Sequence, residues 1–273
     1  MVSYGRTSSS GGFAKLFKNM VKLSAVIITF NEEKNIRRCI ESLLGVADEI
    51  LVVDSFSRDA TKTICSEYDV RFIEHAFEGH IQQKNWAMEK AEYDYILSLD
   101  ADEALSKKLK KSVIWAKSNW SDRGFSFNRL TNYCGKWIRH CGWYPDVKTR
   151  LVYRKNSEWG GTNPHDKLLV DHKRAPIHLK GDLLHYSFYT IDQHIDTIKK
   201  FSTIAAKEKF EKGKSAGFFK LWLAPAFKFM KCYFLKAGFL DGFYGLVVCA
   251  NSAHASFLRY AKLRALSRGE KID

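Results

Sequence analysis

Three acids, Asp100, Asp102 and Glu103, follow directly on the apolar run Tyr95-Ile-Leu-Ser-Leu99. A short aromatic and branched run of this kind reads as a buried strand. Alternate side chains of an extended backbone point the same way, so Asp100 and Asp102 can face one spot just past the strand end. Two carboxylates converging on a point repel each other unless a cation lies between them. Hard oxygen ligands of this sort suit Mg²⁺ or Mn²⁺, and Mg²⁺ is commonly held by one or two carboxylates together with substrate phosphates. The competing reading is a solvated acidic turn at the N-terminus of a helix starting near Leu105, an end that favours acids.

The elements that position these acids are legible upstream of them. Leu23-Ser-Ala-Val-Ile-Ile-Thr29 reads as a first strand ending at Asn31, and Glu49-Ile-Leu-Val-Val-Asp54 as a second. Between them Ile36, Ile40, Leu43 and Leu44 mark one face of a helix. Residues 54–61 form a polar turn in which Ser57 or Asp59 can cap the next helix. A weak strand at 70–74 and a helix over 80–91 lead back to the opening run. Strand and helix alternate to about residue 120, which predicts an α/β fold with a doubly wound, mostly parallel sheet. Ligands of such sheets bind beyond the carboxyl ends of the strands, where Thr29, Asn31, Asp54, Asp100 and Asp102 all fall.

Composition narrows the chemistry. The 273 residues are 45% hydrophobic and 14% aromatic, enough for a substantial core, and their formal charge of +14 calls for an anionic partner. The six cysteines are scattered with no Cys-x-x-Cys pair, which argues against structural zinc or a disulfide framework and for reduced thiols in a cytosolic setting. Neither Gly-x-Gly-x-x-Gly nor Gly-x-x-x-x-Gly-Lys-Ser/Thr occurs, so a glycine-cradled nucleotide is disfavoured. Residues 1–19, rich in Ser and Gly, read as a leader or appended extension outside the fold. They lack the apolar core of a secretory signal.

Val26-Ile-Ile-Thr-Phe-Asn-Glu-Glu, Val52-Val-Asp-Ser-Phe-Ser-Arg-Asp-Ala-Thr, Gln83-Lys-Asn and Leu97-Ser-Leu-Asp-Ala-Asp-Glu resemble, in order and spacing, the motifs of glycosyltransferase family 2. Those are inverting enzymes of the GT-A fold acting on nucleotide-activated sugars. Lys148-Thr-Arg-Leu-Val-Tyr-Arg, Asn163-Pro-His-Asp-Lys-Leu, Leu184-His-Tyr-Ser and Lys236-Ala-Gly-Phe-Leu-Asp-Gly look like the subgroup that includes lipopolysaccharide core β-glucosyltransferases. One departure stands out: the family's Val-Asp-Asp-Gly-Ser turn reads Val-Asp-Ser-Phe-Ser, keeping Asp54 but losing the second acid and the glycine. The resemblance implies a transferase domain over 20–188, with Thr29, Asn31 and Glu32 lining the nucleotide pocket. It implies that Asp54 accepts the uracil imide proton, that Lys84 lies by the diphosphate, and that Asp100 touches the ribose or a metal-bound water. It also implies that Asp102 ligates the metal, with His185 completing the shell or simply serving as a core residue. Asp166, where the subgroup shows His-Glu, is the expected base, with Asp146 in reserve; His165 could serve as base or ligand. The plain alternatives are an exposed helix lysine at Lys84, a helix cap at Asn31 and a turn cap at Asp166.

Residues 121–188 lose the strand–helix rhythm. Strands are expected at 124–130 and 150–154, with an aromatic, basic stretch between them. Trp143 suits the apolar face of a sugar there, the plain alternative being a loop whose aromatics cover the sheet edge, and Arg150 or Arg139 suits an acceptor phosphate through a bidentate fork.

Residues 189–273 read as a basic, aromatic helical extension. Residues 198–236 hold ten lysines, two glutamates and nine aromatics. Pro225 is expected to start or kink a helix and Gly238 to end it. Residues 239–258 are a marginal transmembrane candidate, against which an interfacial hairpin on anionic lipid is the more economical reading. A helical lid with solvated lysines is the bland alternative.

The expected protein is therefore an inverting, metal-dependent transferase moving a hexose, glucose from UDP-glucose, to a lipid-linked saccharide such as lipopolysaccharide core. It would sit peripherally on the inner face of the cytoplasmic membrane. A nucleotidyltransferase would want a glycine-rich basic loop after its first strand, and a nucleic-acid binder a basic stripe on a known module; the sequence has neither.

Overall fold

The computed structural model describes residues 20–162 and 165–272. The expected leader at 1–19 and the Asn163-Pro164 part of the Asn-Pro-His-Asp motif lie outside the described residues, as does the side chain of His165. The elements are β1 (Leu23–Thr29), α1 (Ile36–Leu43), β2 (Glu49–Asp54), α2 (Thr61–Cys65), β3 (Arg71–Glu74), α3 (His80–Lys90), β4 (Tyr95–Asp100), β5 (Glu103–Leu105) and α4 (Lys107–Ser118). There follow β6 (Phe125–Tyr133), β7 (Lys136–Trp137), β8 (Asp146–Tyr153), β9 (Ser157–Thr162), β10 (His165–Val170), β11 (Ile177–Phe188), α5 (Ile191–Glu211), α6 (Phe218–Met230) and α7 (Gly242–Leu266). The described chain forms two compact units, 20–128 with 147–184 and 129–146 with 185–272. The second unit thus takes in 129–146 as well as the expected helical extension.

In the first unit alternate residues of β1 go to opposite faces. Leu23, Ala25 and Ile27 join α1 (Ile36, Ile40) and α4 (Leu109, Val113) in one apolar cluster. Val26 joins α3 (Ala87, Met88) in the other. Helices cover both faces, so the sheet is doubly wound. The strand order is β3-β2-β1-β4-β8-β6-β11-β5. Pairing is parallel from β3 through β2 and β1 to β4, then antiparallel at β4–β8. The sheet is therefore mixed, and the expected parallel sheet describes only its first four strands. The sequence shows why. After α4 no further strand–helix unit occurs until residue 188, and antiparallel partners need no crossover helix. β9 and β10 form a separate antiparallel ribbon.

The helix expected from Leu105 begins two residues later. Glu103–Leu105 pairs as a short strand, and Ser106 Oγ accepts the N–H of Leu109 as the N-cap. Of the acidic turn, Glu103 is 1% exposed while Asp100 and Asp102 are half-buried.

The second unit packs around Tyr133, which touches Trp143, Phe188, His194 and Tyr244 edge-on. α5 opens on a capping box, Thr190 with Gln193. Pro225 lies inside α6, and the chain runs on as a π-helical turn, Lys231–Leu235, and a 3₁₀ turn, Gly238–Asp241. Ala237, not Gly238, takes the left-handed conformation at the break, with φ of 50°.

Candidate active site

Parallel pairing sets Thr29 beside Asp54 at the carboxyl ends of β1 and β2. Their loops then lace together. Asn31, left-handed at φ 53°, donates its N–H to Ser57 Oγ at 2.7 Å and accepts the N–H of Arg58 at 2.8 Å. Glu32 donates its N–H to Thr61 Oγ1, and Glu33 donates its N–H to Asp59. The alternative of a helix cap at Asn31 does not describe this geometry: its side chain reaches across to the second strand's turn.

Asp54 is 1% exposed. Its two oxygens accept the N–H and the hydroxyl of Ser57, at 2.7 and 2.5 Å. It closes its own turn, and any imide proton would meet a carboxylate already holding two donors. Where the family's turn has glycine, Phe56 stands at φ 62° with 53% of its surface exposed. A bulky side chain rarely adopts that conformation, and such strain is found mainly where function over-determines the backbone.

Beside β4 lies a chain of buried charges. Lys84 Nζ is 2.8 Å from Asp166 Oδ2 and 3.0 Å from Asp100 Oδ1. Arg150 Nη2 is 3.2 Å from both Asp100 Oδ2 and Glu103 Oε1. The indole of Trp159 lies under both cations, 4.3 Å from Lys84 Nζ and 4.9 Å from the Arg150 guanidinium. α3 supplies Lys84, β4 Asp100, β8 Arg150, β9 Trp159 and β10 Asp166. Burial works against the charge of Arg150, but Glu103 and Asp100 outweigh it and raise its pKa above the ordinary value. Two expectations change here. Lys84, at 3% exposure, is no solvated helix lysine. Arg150, at 4%, meets carboxylates inside the protein where an acceptor phosphate was expected.

Glu32 faces the same region. Burial pushes its carboxyl up to about 7, opposed by a hydrogen bond from Asn35 and reinforced by the charges of Asp102, Asp59 and Asp100. Burial, with the neighbouring carboxylates adding to it, leaves Glu32 holding its proton near neutrality. Both oxygens of Asp100 are engaged by Lys84 and Arg150. Among the described residues no group of three His, Cys, Asp or Glu comes together as a metal cage. Asp102 is the carboxylate here through which a hard divalent ion would be held, and its remaining ligands would be phosphate oxygens and water.

In the second unit a cleft of about 330 Å³ is lined by Trp143, Asp146, Arg129, Thr131, His185 and Phe188, among others. The Asp146 carboxylate accepts from Arg129 at 2.9 and 3.0 Å, and His185 Nδ1 is 3.4 Å from Thr131 Oγ1. The structure therefore brings Trp143, Asp146 and His185 to one cleft, while Lys84, Asp100, Arg150 and Asp166 form the ion network. Sequence reasoning missed Trp159 and gave Glu103 no role. Trp159, in the unremarked Glu-Trp-Gly-Gly, offers no local signal, because its contacts come from α3 and β8.

Residues 24–140 match the family model described as glycosyl transferase family 2. An uncharacterized glycosyltransferase of Rickettsia typhi is 33% identical, over 91% of this chain and 88% of that one. The lipopolysaccharide core biosynthesis glycosyltransferase LpsC of Rhizobium meliloti is 30% identical, over 92% of this chain and 96% of that one. Among solved structures, S. aureus TarS 1-349 in complex with UDP aligns over 91% of this chain and 92% of that one. Its TM-score is 0.44 at 15% identity, a likeness too distant to bear on function.

Proposed function

The chain belongs to glycosyltransferase family 2, and from that premise we propose that it transfers a hexose, with inversion, from a nucleotide-sugar donor to a lipid-linked saccharide. UDP-glucose is the donor of this reading, and a lipopolysaccharide core saccharide, after the LpsC relative, its acceptor. The observation that carries it is the crowding of Asp102, Asp100 and Glu32 at the strand ends, with Glu32 pushed up to about 7. A site so rich in carboxylate invites a divalent cation and, with it, a diphosphate. Mg²⁺ or Mn²⁺ bound by Asp102 would supply charge neutralisation for the leaving diphosphate.

The base in this reading is Asp166. Lys84 at 2.8 Å fixes the direction of its carboxylate. The acceptor hydroxyl gives its proton to Asp166 as its oxygen bonds to the anomeric carbon. The bond from that carbon to the diphosphate oxygen breaks on the opposite face, and the nucleoside diphosphate departs with the electron pair. Lys84 is then left with Asp100 as its remaining partner. Thr29, with a buried hydroxyl that has no partner among the described residues, stands ready to meet the nucleotide. Trp143, in the cleft with Asp146 and His185, presents the aromatic face for an acceptor sugar.

UDP release from UDP-glucose in the presence of a core-type acceptor tests the reading. Release is expected to stop in Asp102→Ala and in chelator. In Asp166→Asn, donor binding is expected to stay intact while transfer is lost. Undiminished turnover in Asp102→Ala with chelator present removes the metal site, and undiminished transfer in Asp166→Asn removes the base.

A further inference from the structure

We infer that the turn between α6 and α7 is a docking surface for an anionic phospholipid bilayer, entered shallowly as a bent helical hairpin. α6 is a 13-residue helix with no buried residue. An amphipathic helix in a water-soluble unit buries one face, and this one leaves its bulkiest residues open. Phe219 is 78% exposed, Leu223 68%, and Trp222 and Phe227 66% each. At about 100° per residue these four fall within an arc of about 140°. Past the π-helical turn Leu235 is 77% exposed and Phe243 67%. Bulky apolar side chains left open on one helix face mark an interaction site.

Charge selects the partner. Residues 218–240 contain Lys220, Lys228, Lys231 and Lys236 and no acid. Lysine stems lie along apolar surface with their ammonium groups at its edge, the arrangement that places cations at head groups and aromatics at the acyl boundary. A second copy of this chain would bring the same four lysines against themselves, which opposes a self-complementary contact.

Depth follows from how α7 is held. No single described helix is long and apolar enough to cross a membrane, but Phe218–Leu235 and Gly238–Leu266 together pass the length and composition test, bent by 70°. Gly245, Val248, Cys249, Ser256 and Leu263 of α7 are buried within the second unit. His140 and Asp241 tie the 3₁₀ turn down, with Nδ1 2.9 Å from Oδ1. Threading α7 through a bilayer would undo that core, whereas laying α6 and the turn into one leaflet leaves it whole. The surface is built independently of the transfer chemistry, so its test needs no donor.

The test is co-sedimentation of the full chain with vesicles of phosphatidylcholine alone or mixed with phosphatidylglycerol, with Trp222 as reporter. Binding is expected to the mixed vesicles, weaker by about tenfold or more on phosphatidylcholine, since each basic residue near an anionic surface adds to affinity. The part of the intrinsic fluorescence lost in Trp222→Phe is expected to shift to the blue and to be quenched by acyl-brominated lipid. Phe219→Glu with Leu223→Glu is expected to lose binding by about tenfold or more, at an unchanged melting temperature because neither side chain is packed inside. Lys228→Glu with Lys231→Glu is expected to lose the preference for anionic lipid. No sedimentation with either vesicle, or equal binding by the glutamate variants, overturns the inference. So does a concentration-dependent dimer, abolished by those variants, without vesicle binding.

Discussion

Two side chains with displaced proton affinities, the half-buried Glu32 and the buried His194, set opposite pH responses. Glu32 titrates at about 7 in the folded chain against 4.5 for the ordinary group. Between those values the unfolded chain has released a proton that the folded chain still holds, so raising the pH removes stability, by about 1.4 kcal/mol per unit. His194, pulled down by burial from 6.5 to about 4, does the reverse. Between 4 and 6.5 the unfolded chain holds a proton that the folded chain lacks, and raising the pH adds stability at a similar slope of about 1.4 kcal/mol per unit. From pH 4.5 to 6.5 the two oppose each other. Denaturant unfolding of Glu32→Gln across that window is therefore expected to show stability rising more steeply with pH than in the parent chain, and His194→Leu to show it falling. Parent-like slopes in both variants would mean that neither group titrates as argued. The sequence placed Glu32 at a strand end, which its position after β1 makes plain. The proton it retains was out of reach, because that depends first on burial in the folded chain and then on Asp102, Asp59 and Asp100 arriving from other loops.

At the scale of elements, strands and helices to residue 100 were readable because β1, β2 and β4 are mostly apolar runs and α1 repeats at helical spacing. α3 was readable as a helix but not as the source of a buried cation. Gln83-Lys84-Asn85 is three polar residues in a row, and all three turn inward: Gln83 to Ser55 and His75, Lys84 to Asp100 and Asp166, Asn85 to the backbone of Trp159. Periodicity assigns such a run to solvent; only the partners show otherwise. The break between α6 and α7 was expected at Gly238, and the left-handed residue that makes it is Ala237, one position earlier. Gly238 looked like a helix terminator, yet its role is proximity. A Cβ there would lie 2.6 Å from Cys249 Sγ, and one on Gly245 would collide with the carbonyl oxygen of Gly238. The two glycines let the 3₁₀ turn lie against the first turns of α7. Gly245→Ala is accordingly expected to open that turn and destabilise the second unit by about 2 kcal/mol or more, in line with over-packed cores. Thermal unfolding of the full chain checks it. An unchanged midpoint would show that the turn relaxes without cost.

Across the whole molecule, charge is distributed unevenly. The second unit, 129–146 with 185–273, carries 18 Lys and Arg against 8 Asp and Glu. The described part of the first carries 23 against 22. The formal +14 read from composition is thus not a property of the proposed donor site, whose carboxylates crowd one another. Ten of those charges belong to the helical unit, and the two ligands this chain is argued to need should respond differently to salt. Exposed lysines facing a charged surface are screened over a Debye length of about 8 Å at physiological ionic strength. Buried pairs such as Lys84–Asp100 and Arg150–Glu103 are screened far less. Raising salt from low to physiological concentration is therefore expected to weaken binding to phosphatidylglycerol vesicles by about tenfold or more, and UDP binding in the presence of Mn²⁺ by less than about threefold. Isothermal titration of UDP beside vesicle sedimentation, over one salt series, measures both. Equal salt sensitivity would place the excess positive charge at the nucleotide site after all, and with it the anion that composition demanded.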